Sequence, residues 1–316
     1  MSTDTPSATL CKWCKAELKA ELKATDLTCP KCGAPRDFAM ERTDNNWLEL
    51  PPVKDMTQIQ FGKSTCAIHG EMVPAAELNL HEDDSVYFTH HSILWKETEV
   101  TFKTMSLKKG FKRLFAGLPL IMTEAHGPGR IAFSHHSPGE LIAIPLNKGE
   151  EIDVKEHVFL LASNSINYEW FNPNLWAVKA CGNDQETVYP LGMYMDRFDA
   201  KDSPGLLLLH SHGDCFIQEL KDSESILIHP NSLLFKSTNM EMSLHLETPG
   251  QPSNTGSLFM GGGLYGNYNI QQTIWIRLKG PGRIAIQSAF PPSETDYTST
   301  IIRCPQSTTT KNWSYN

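Results

Sequence analysis

The sequence predicts an all-β protein: duplicated β-sandwich or β-barrel units, with a small cysteine-rich module ahead of them. Three observations carry that expectation. The hexapeptide GPGRIA occurs twice, in HGPGRIAF (His126–Phe133) and KGPGRIAI (Lys279–Ile286), each time between aliphatic runs. Most of the chain is a series of short runs rich in Ile, Leu, Val and Phe, closed by Gly, Pro, Asn or Asp, which is the pattern of strands and turns. Four cysteines near the N-terminus fall in two C-x2-C pairs.

The cysteine-rich module comes first. CKWC and CPKCG place Cys11, Cys14, Cys29 and Cys32 as two pairs separated by 14 residues. One tight turn aims both sulfurs of a pair at one ion, and two such knuckles complete the four-sulfur tetrahedron that Zn²⁺ favours. All four ligands are cysteine, so no position is left open for a reacting water, and the zinc is expected to be structural, one per chain. So short a segment cannot fold on its own apolar core, and metal binding supplies the folding energy. A redox dithiol pair and a pair of disulfides are the alternatives. The module is expected over residues 1–36. Residues 37–54 read as a polar linker ending in ELPPVKD, whose adjacent prolines favour extended backbone. The β domain is expected over 55–306 and a polar tail over 307–316.

Within the β domain, GPGRIAFS, GELIAIPL, HVFLLAS, CFIQEL, SILIHP and TIWIRL are each of strand length. PLIMTEAHGPGRIAFS and TIWIRLKGPGRIAIQS share one outline: an apolar strand, a reversal, another apolar strand. The reversals, Gly127, Pro128 and Gly129 in one copy and Gly280, Pro281 and Gly282 in the other, are read as structural turns. Glycine there permits positive φ, and proline presets one turn position. LLLLHSHGDCFIQEL fits the same outline with Gly213-Asp214 at its turn. One helix is expected, TMSLKKGFKRLFAG over 104–117, where Leu107, Phe111, Leu114 and Phe115 share a face and Gly110 weakens the pattern.

The chain has 316 residues, 40% of them hydrophobic and 20% charged, enough to bury a sizeable core. A formal net charge of −8 argues against a general role on nucleic acid, which needs a cationic face. No apolar run approaches the roughly 20 residues that span a bilayer. The opening MSTDTPSATLCKWC has neither the basic nor the apolar region of a secretory signal, so the expected location is the cytoplasm.

Several tempting motifs reduce to plainer readings. FGKST (Phe61–Thr65) lacks the first glycine of a phosphate-binding loop and the helix after it. GGGLYG (261–266) is followed by strand-like rather than helical sequence, so a dinucleotide site is not expected. HSHGDCFIQE puts His210 and His212 on one strand face, a candidate for a second metal, against the plainer reading of turn histidines. His90-His91 and His135-His136 are adjacent, and neighbours on a strand point to opposite faces, so each pair is a poor two-ligand set unless subunits of a ring combine them. Lys108, Lys109, Lys112 and Arg113 could contact an anionic membrane, or simply face water while the apolar side packs on the sheet.

From about Met56 to Phe290 the chain resembles the altered-inheritance-of-mitochondria twenty-four family. The residues that carry the resemblance are GFKRLFAGLPLIMTEAHGPGRIAFS, PGELIAIPLNKGEEIDVKEHVFLLAS, LLLLHSHGDCFIQEL and RLKGPGRIAIQS. It implies a fold similar to the tryptophan-RNA-binding attenuation protein, with β-sandwich units duplicated in one chain, and ring-like homo-oligomers, a trimer among them. It supplies no catalytic residues. Relatives in bacteria are linked to stress responses and the mitochondrial member to inner-membrane organisation. RNA binding would follow from fold analogy alone, and the repeats supply only Arg130 and Arg283. The expectation is a non-enzymatic oligomeric β scaffold whose zinc ribbon contacts a protein partner, in a stress response or in membrane-associated organisation. The alternatives are a metal-dependent β-barrel enzyme using His210 and His212, and an adaptor for anionic membrane or nucleic acid.

Overall fold

The structure is a computed structural model, and it describes residues 9–11, 17–18, 48–49, 59–70, 72–89, 92–104, 122–181, 184–247, 273–289 and 301–304. Among these residues every regular element is a β-strand except one 3-10 turn, Pro230–Ser232, and every strand pairing is antiparallel. All six quoted strand segments are strands. The expected helix over 104–117 lies outside the described residues, apart from Thr104, which ends a strand.

Repetition is threefold, one more than the GPGRIA pair announces. Unit 1 contains Ala75–Leu80, Ser85–Thr89, Ile93–Lys96, Thr101–Thr104, Met122–His126 and Gly129–Ser134. Unit 2 contains Glu140–Leu146, Glu151–Lys155, Phe159–Ser163, Asn167–Phe171, Met195–Asp199 and Gly205–Ser211. Unit 3 contains Cys215–Leu220, Ser225–Ile228, Leu233–Ser237, Glu241–Glu247, Thr273–Lys279 and Gly282–Gln287. In each unit the first, sixth and third strands lie side by side in one sheet, and the second, fifth and fourth in another.

The same hydrogen bonds recur. The sixth strand starts with a backbone N–H held by a side-chain oxygen: Arg130 N by Glu97 Oε2 at 2.8 Å, Leu206 N by Ser163 Oγ at 2.9 Å, Arg283 N by Ser237 Oγ at 2.9 Å. The turn between the first two strands closes from Asp84 N to His81 O, Glu150 N to Asn147 O and Glu224 N to Lys221 O.

The GPG turns fit this frame. A side chain at Gly127 would meet the carbonyl oxygen of His81, and one at Gly280 that of Lys221. The glycine after each proline has φ of 130° or 147°, where other residues are strained. In unit 2 the corresponding reversal is Ser203-Pro204-Gly205, not Gly213-Asp214. Gly213-Asp214 instead joins unit 2 to unit 3.

Successive units share sheets. The third strand of unit 2 pairs with the second strand of unit 1, and the third strand of unit 3 with the second of unit 2. This yields a six-stranded and a seven-stranded sheet between the units. The hairpin Ile59–Phe61 with Ser64–His69 extends the first sheet of unit 1 to five strands. Leu48–Glu49, within the stretch read as linker, pairs with Cys215–Leu220 in the seven-stranded sheet. Ala177–Cys181, Asp184–Val188 and Ile301–Arg303 form a further small sheet.

Three cores lie between the sheets, and the inner sheets are buried on both faces. Such sheets select continuous rather than alternating apolar residues. That is the physical meaning of the run Leu206–Leu209: Leu206 and Leu208 belong to the first core and Leu207 and Leu209 to the second, all four fully buried. The third core packs Leu220, Leu233 and Ile284 against Leu244, Ile276 and Leu278, joined by Leu175, Ala177 and Val188 near or within the added hairpin.

Candidate functional site: a histidine cluster where the units join

The sixth residue of the sixth strand is buried and polar in every unit: Ser134, His210 and Gln287. At the join between units the chain turns back over this end. His135 and His136 follow the strand that closes with Ser134, so they sit in the connection rather than in a strand, and strand alternation does not separate them. The His135 ring stacks on His210 with centroids 3.7 Å apart and planes 16° from parallel. His136 lies 4.1 Å from His135, and His212 meets His210 edge-on at 5.3 Å. One chain thus gathers four histidines, without any second subunit.

Neighbouring polar groups hold the rings. Ser137 Oγ bonds His135 Nδ1 at 2.9 Å and His212 Nδ1 at 3.2 Å. The Ser137 carbonyl lies 3.2 Å from His210 Nε2, which places the proton on that nitrogen. His212 N donates to Gln287 Oε1, and Gln287 Nε2 donates to the carbonyl of Asn231, tying the connection after unit 2 to unit 3. Lys155 Nζ donates to Pro230 O and Asn231 Oδ1, each at 3.2 Å.

Electrostatically this is a region of withheld charge. Burial, with His135 and His212 close by, pushes His210 down to about 3. His212 is lowered by burial, then by His136 and Lys155, and His229 by burial and Lys155. Burial alone takes Lys155 down to about 8. At neutral pH His210, His212 and His229 are therefore neutral nitrogen donors. That chemistry suits borderline transition-metal ions such as Zn²⁺. In this arrangement, however, three ring nitrogens do not converge within 4.8 Å. Among the described residues only His81, Glu82 and Asp83 place three ligand atoms that close. Those three are local and largely exposed, and Asp83 is already paired with Lys63 at 2.6 Å.

The other sequence-predicted residues divide clearly. Of the four cysteines predicted as zinc ligands, only Cys11 is described. It is buried, and the antiparallel strands Thr9–Leu10 and Glu17–Leu18 flank the CKWC segment. Cys14, Cys29 and Cys32, the basic residues Lys108, Lys109, Lys112 and Arg113, the GGGLYG stretch and His90-His91 lie outside the described residues. Burial drives the Cys66 thiol up to about 12 and raises that of Cys215, so neither is a thiolate nucleophile at neutral pH. FGKST is a hairpin turn. Near the other end of the strands a cleft of about 660 Å³ is lined by Asp83, Asp84, Asn164 and Pro204 among others. Its Asp84 is already engaged by Lys63 N and Ser64 Oγ. Among the described residues no helix is long and apolar enough to cross a membrane.

Comparison with known proteins adds a family and a fold. The model of the family described as mitochondrial biogenesis AIM24 matches residues 66–289. The crystal structure of a protein from Streptococcus pyogenes is similar, with a TM-score of 0.52 and 21% identity, covering 72% of this chain and 94% of that one. No curated protein matches.

Proposed function

We propose that this chain, which belongs to the mitochondrial biogenesis AIM24 family, works as a non-enzymatic homo-oligomeric β scaffold that presents an N-terminal zinc ribbon to a protein partner. One observation carries the oligomer: at the two ends of the row of units, strands that are buried elsewhere expose Leu94, Trp95 and Leu227. Large apolar side chains exposed on unpaired strand edges are what a partner chain would cover. The ribbon is supported by its cysteine spacing and by the short strand pair around CKWC. The family name and the resemblance point to stress response or membrane-associated organisation as the setting. Light scattering and elemental analysis on one sample test the reading. A discrete oligomer with one zinc per chain supports it, and a monomer without zinc overturns it.

The clustering of four histidine rings favours a second reading, a metal-dependent activity at His210 and His212 with His135 and His136 brought in as ligands by a shift of the rings. It requires more than one divalent metal per chain, with the excess lost in the variant His210→Ala, His212→Ala. One zinc per chain before and after that change removes it.

A further inference from the structure

The two internal joins define what the free ends lack. At each join the third strand of the later unit pairs antiparallel with the second strand of the earlier one. The first join sets Leu161 opposite Phe88 and Ala162 opposite Tyr87. The second sets Phe235 opposite Val154 and Lys236 opposite Asp153. Two strands remain without such a partner among the described residues: the third strand of unit 1, Ile93–Lys96, and the second strand of unit 3, Ser225–Ile228. Each is an edge, and each is the kind of strand that the other's equivalents pair with.

Position by position, Trp95 stands where Leu161 and Phe235 stand, and Leu227 where Tyr87 and Asp153 stand. The side chains agree. Leu160 and Leu161 enter the core of the preceding unit, as do Leu234 and Phe235. Leu94 and Trp95 are built for that role, yet they are 56% and 41% exposed, because among the described residues no unit precedes unit 1. Tyr87 lies in the core of the unit that follows its own. Leu227, with no further unit after its own among the described residues, is 39% exposed. Edges meant to stay single are usually guarded by charge, proline or bulges. Lys96 is the sole charged residue of these two strands.

We propose that copies of this chain assemble head to tail, Ile93–Lys96 of one copy pairing antiparallel with Ser225–Ile228 of the next, with Trp95 opposite Ile228 and Lys96 opposite Leu227. This rests on the oligomeric scaffold reading and gives it an interface. The two surfaces differ, so the contact is heterologous. It closes into a ring if the rotation per chain permits and otherwise runs on as a filament. Each added copy continues the shared-sheet architecture that already links the three units within a chain.

The test co-expresses two full-length, differently tagged chains, one carrying Lys96→Cys and the other Leu227→Cys, with wild-type chain as the control for native thiols. Directly paired strands bring the new cysteines within disulfide reach. A disulfide linking the two tags, absent when either variant is expressed alone, is the expected result. Trp95→Lys should also shift the native mass to that of a 35.4 kDa monomer with the strand content unchanged. Cross-linking in a single variant alone overturns the head-to-tail order. An oligomer that neither cross-links nor responds to Trp95→Lys overturns the interface while sparing the scaffold reading. A wild-type chain that is monomeric at every concentration overturns both.

Discussion

The strand Phe159–Ser163 in unit 2 is buried at every residue, whereas Ile93–Lys96, its counterpart in unit 1, exposes three of its four. Both have the same neighbour on one side, the sixth strand of their own unit. Among the described residues only the first has a strand from another unit on the other side. Their sequences differ less than their surroundings: Leu160-Leu161 in one, Leu94-Trp95 in the other. Burial here is thus set by the succession of units more than by the residues of a strand. The residues at the free end still carry the character of a join.

The largest effect that would sharpen this contrast lies at the second join. Asp153 is 1% exposed and holds both Arg197, at 2.7 and 3.1 Å, and Lys236 Nζ, at 2.9 Å. Asp153→Ala leaves the buried Lys236 ammonium with only the Ser237 and Met240 carbonyls. Removing one partner of a buried pair costs about 3–5 kcal/mol, and urea unfolding should show a loss of that size. Lys96 is the counterpart of Lys236 and makes the same backbone bonds, to the Glu97 and Val100 carbonyls. It is exposed, so Lys96→Met should stay within about 0.5 kcal/mol. A large loss for Lys96→Met would show that the free end is covered in solution.

Next in size is the pair Leu161→Ala and Trp95→Ala. Leu161 is fully buried in the first core, and its truncation should cost about 2–5 kcal/mol, depending on how far the cavity collapses. Trp95→Ala removes the larger side chain. It leaves little cavity in a single chain, so unfolding of the monomer should change by about 1 kcal/mol or less. Equal losses from the two changes would break the comparison.

Much of the fold is legible in the sequence. The strands can be read because their apolar runs are bounded by turn residues, and the GPG turns because only glycine fits beside the carbonyls of His81 and Lys221. The third repeat is hidden for a physical reason. In unit 2 the reversal before the sixth strand is longer: Ala200 N takes the bond to Glu150 O that Gly127 and Gly280 make to Asp84 and Glu224, and Gly205 comes several residues later. A glycine-proline signature therefore dissolves, and Gly213-Asp214 draws attention to the wrong turn. Half of the histidine cluster is visible as HSH. The other half escapes because strand alternation holds only as far as Ser134, where the strand ends. From His135 onward the chain turns, and the rule no longer applies.

The smallest effect concerns that cluster and compares the three units directly. At the sixth residue of the sixth strand unit 1 has Ser134, unit 2 His210 and unit 3 Gln287, all buried, but only His210 can titrate. Its folded pKa, about 3, lies below the ordinary value of 6.5. Between those values the unfolded chain binds a proton that the folded chain refuses, so stability must fall as the pH drops. It falls by at most about 1.4 kcal/mol per pH unit, and the residue contributes nothing above about 6.5. His210→Gln installs the side-chain type that unit 3 uses in this place. It should flatten the decline seen in urea unfolding between pH 6.5 and 5, leaving the part due to His212 and His229, whose pKa values are also lowered. An unchanged slope would mean that the imidazole accepts a proton within the fold. The join between units 1 and 2 would then open to water more readily than its stacked rings imply.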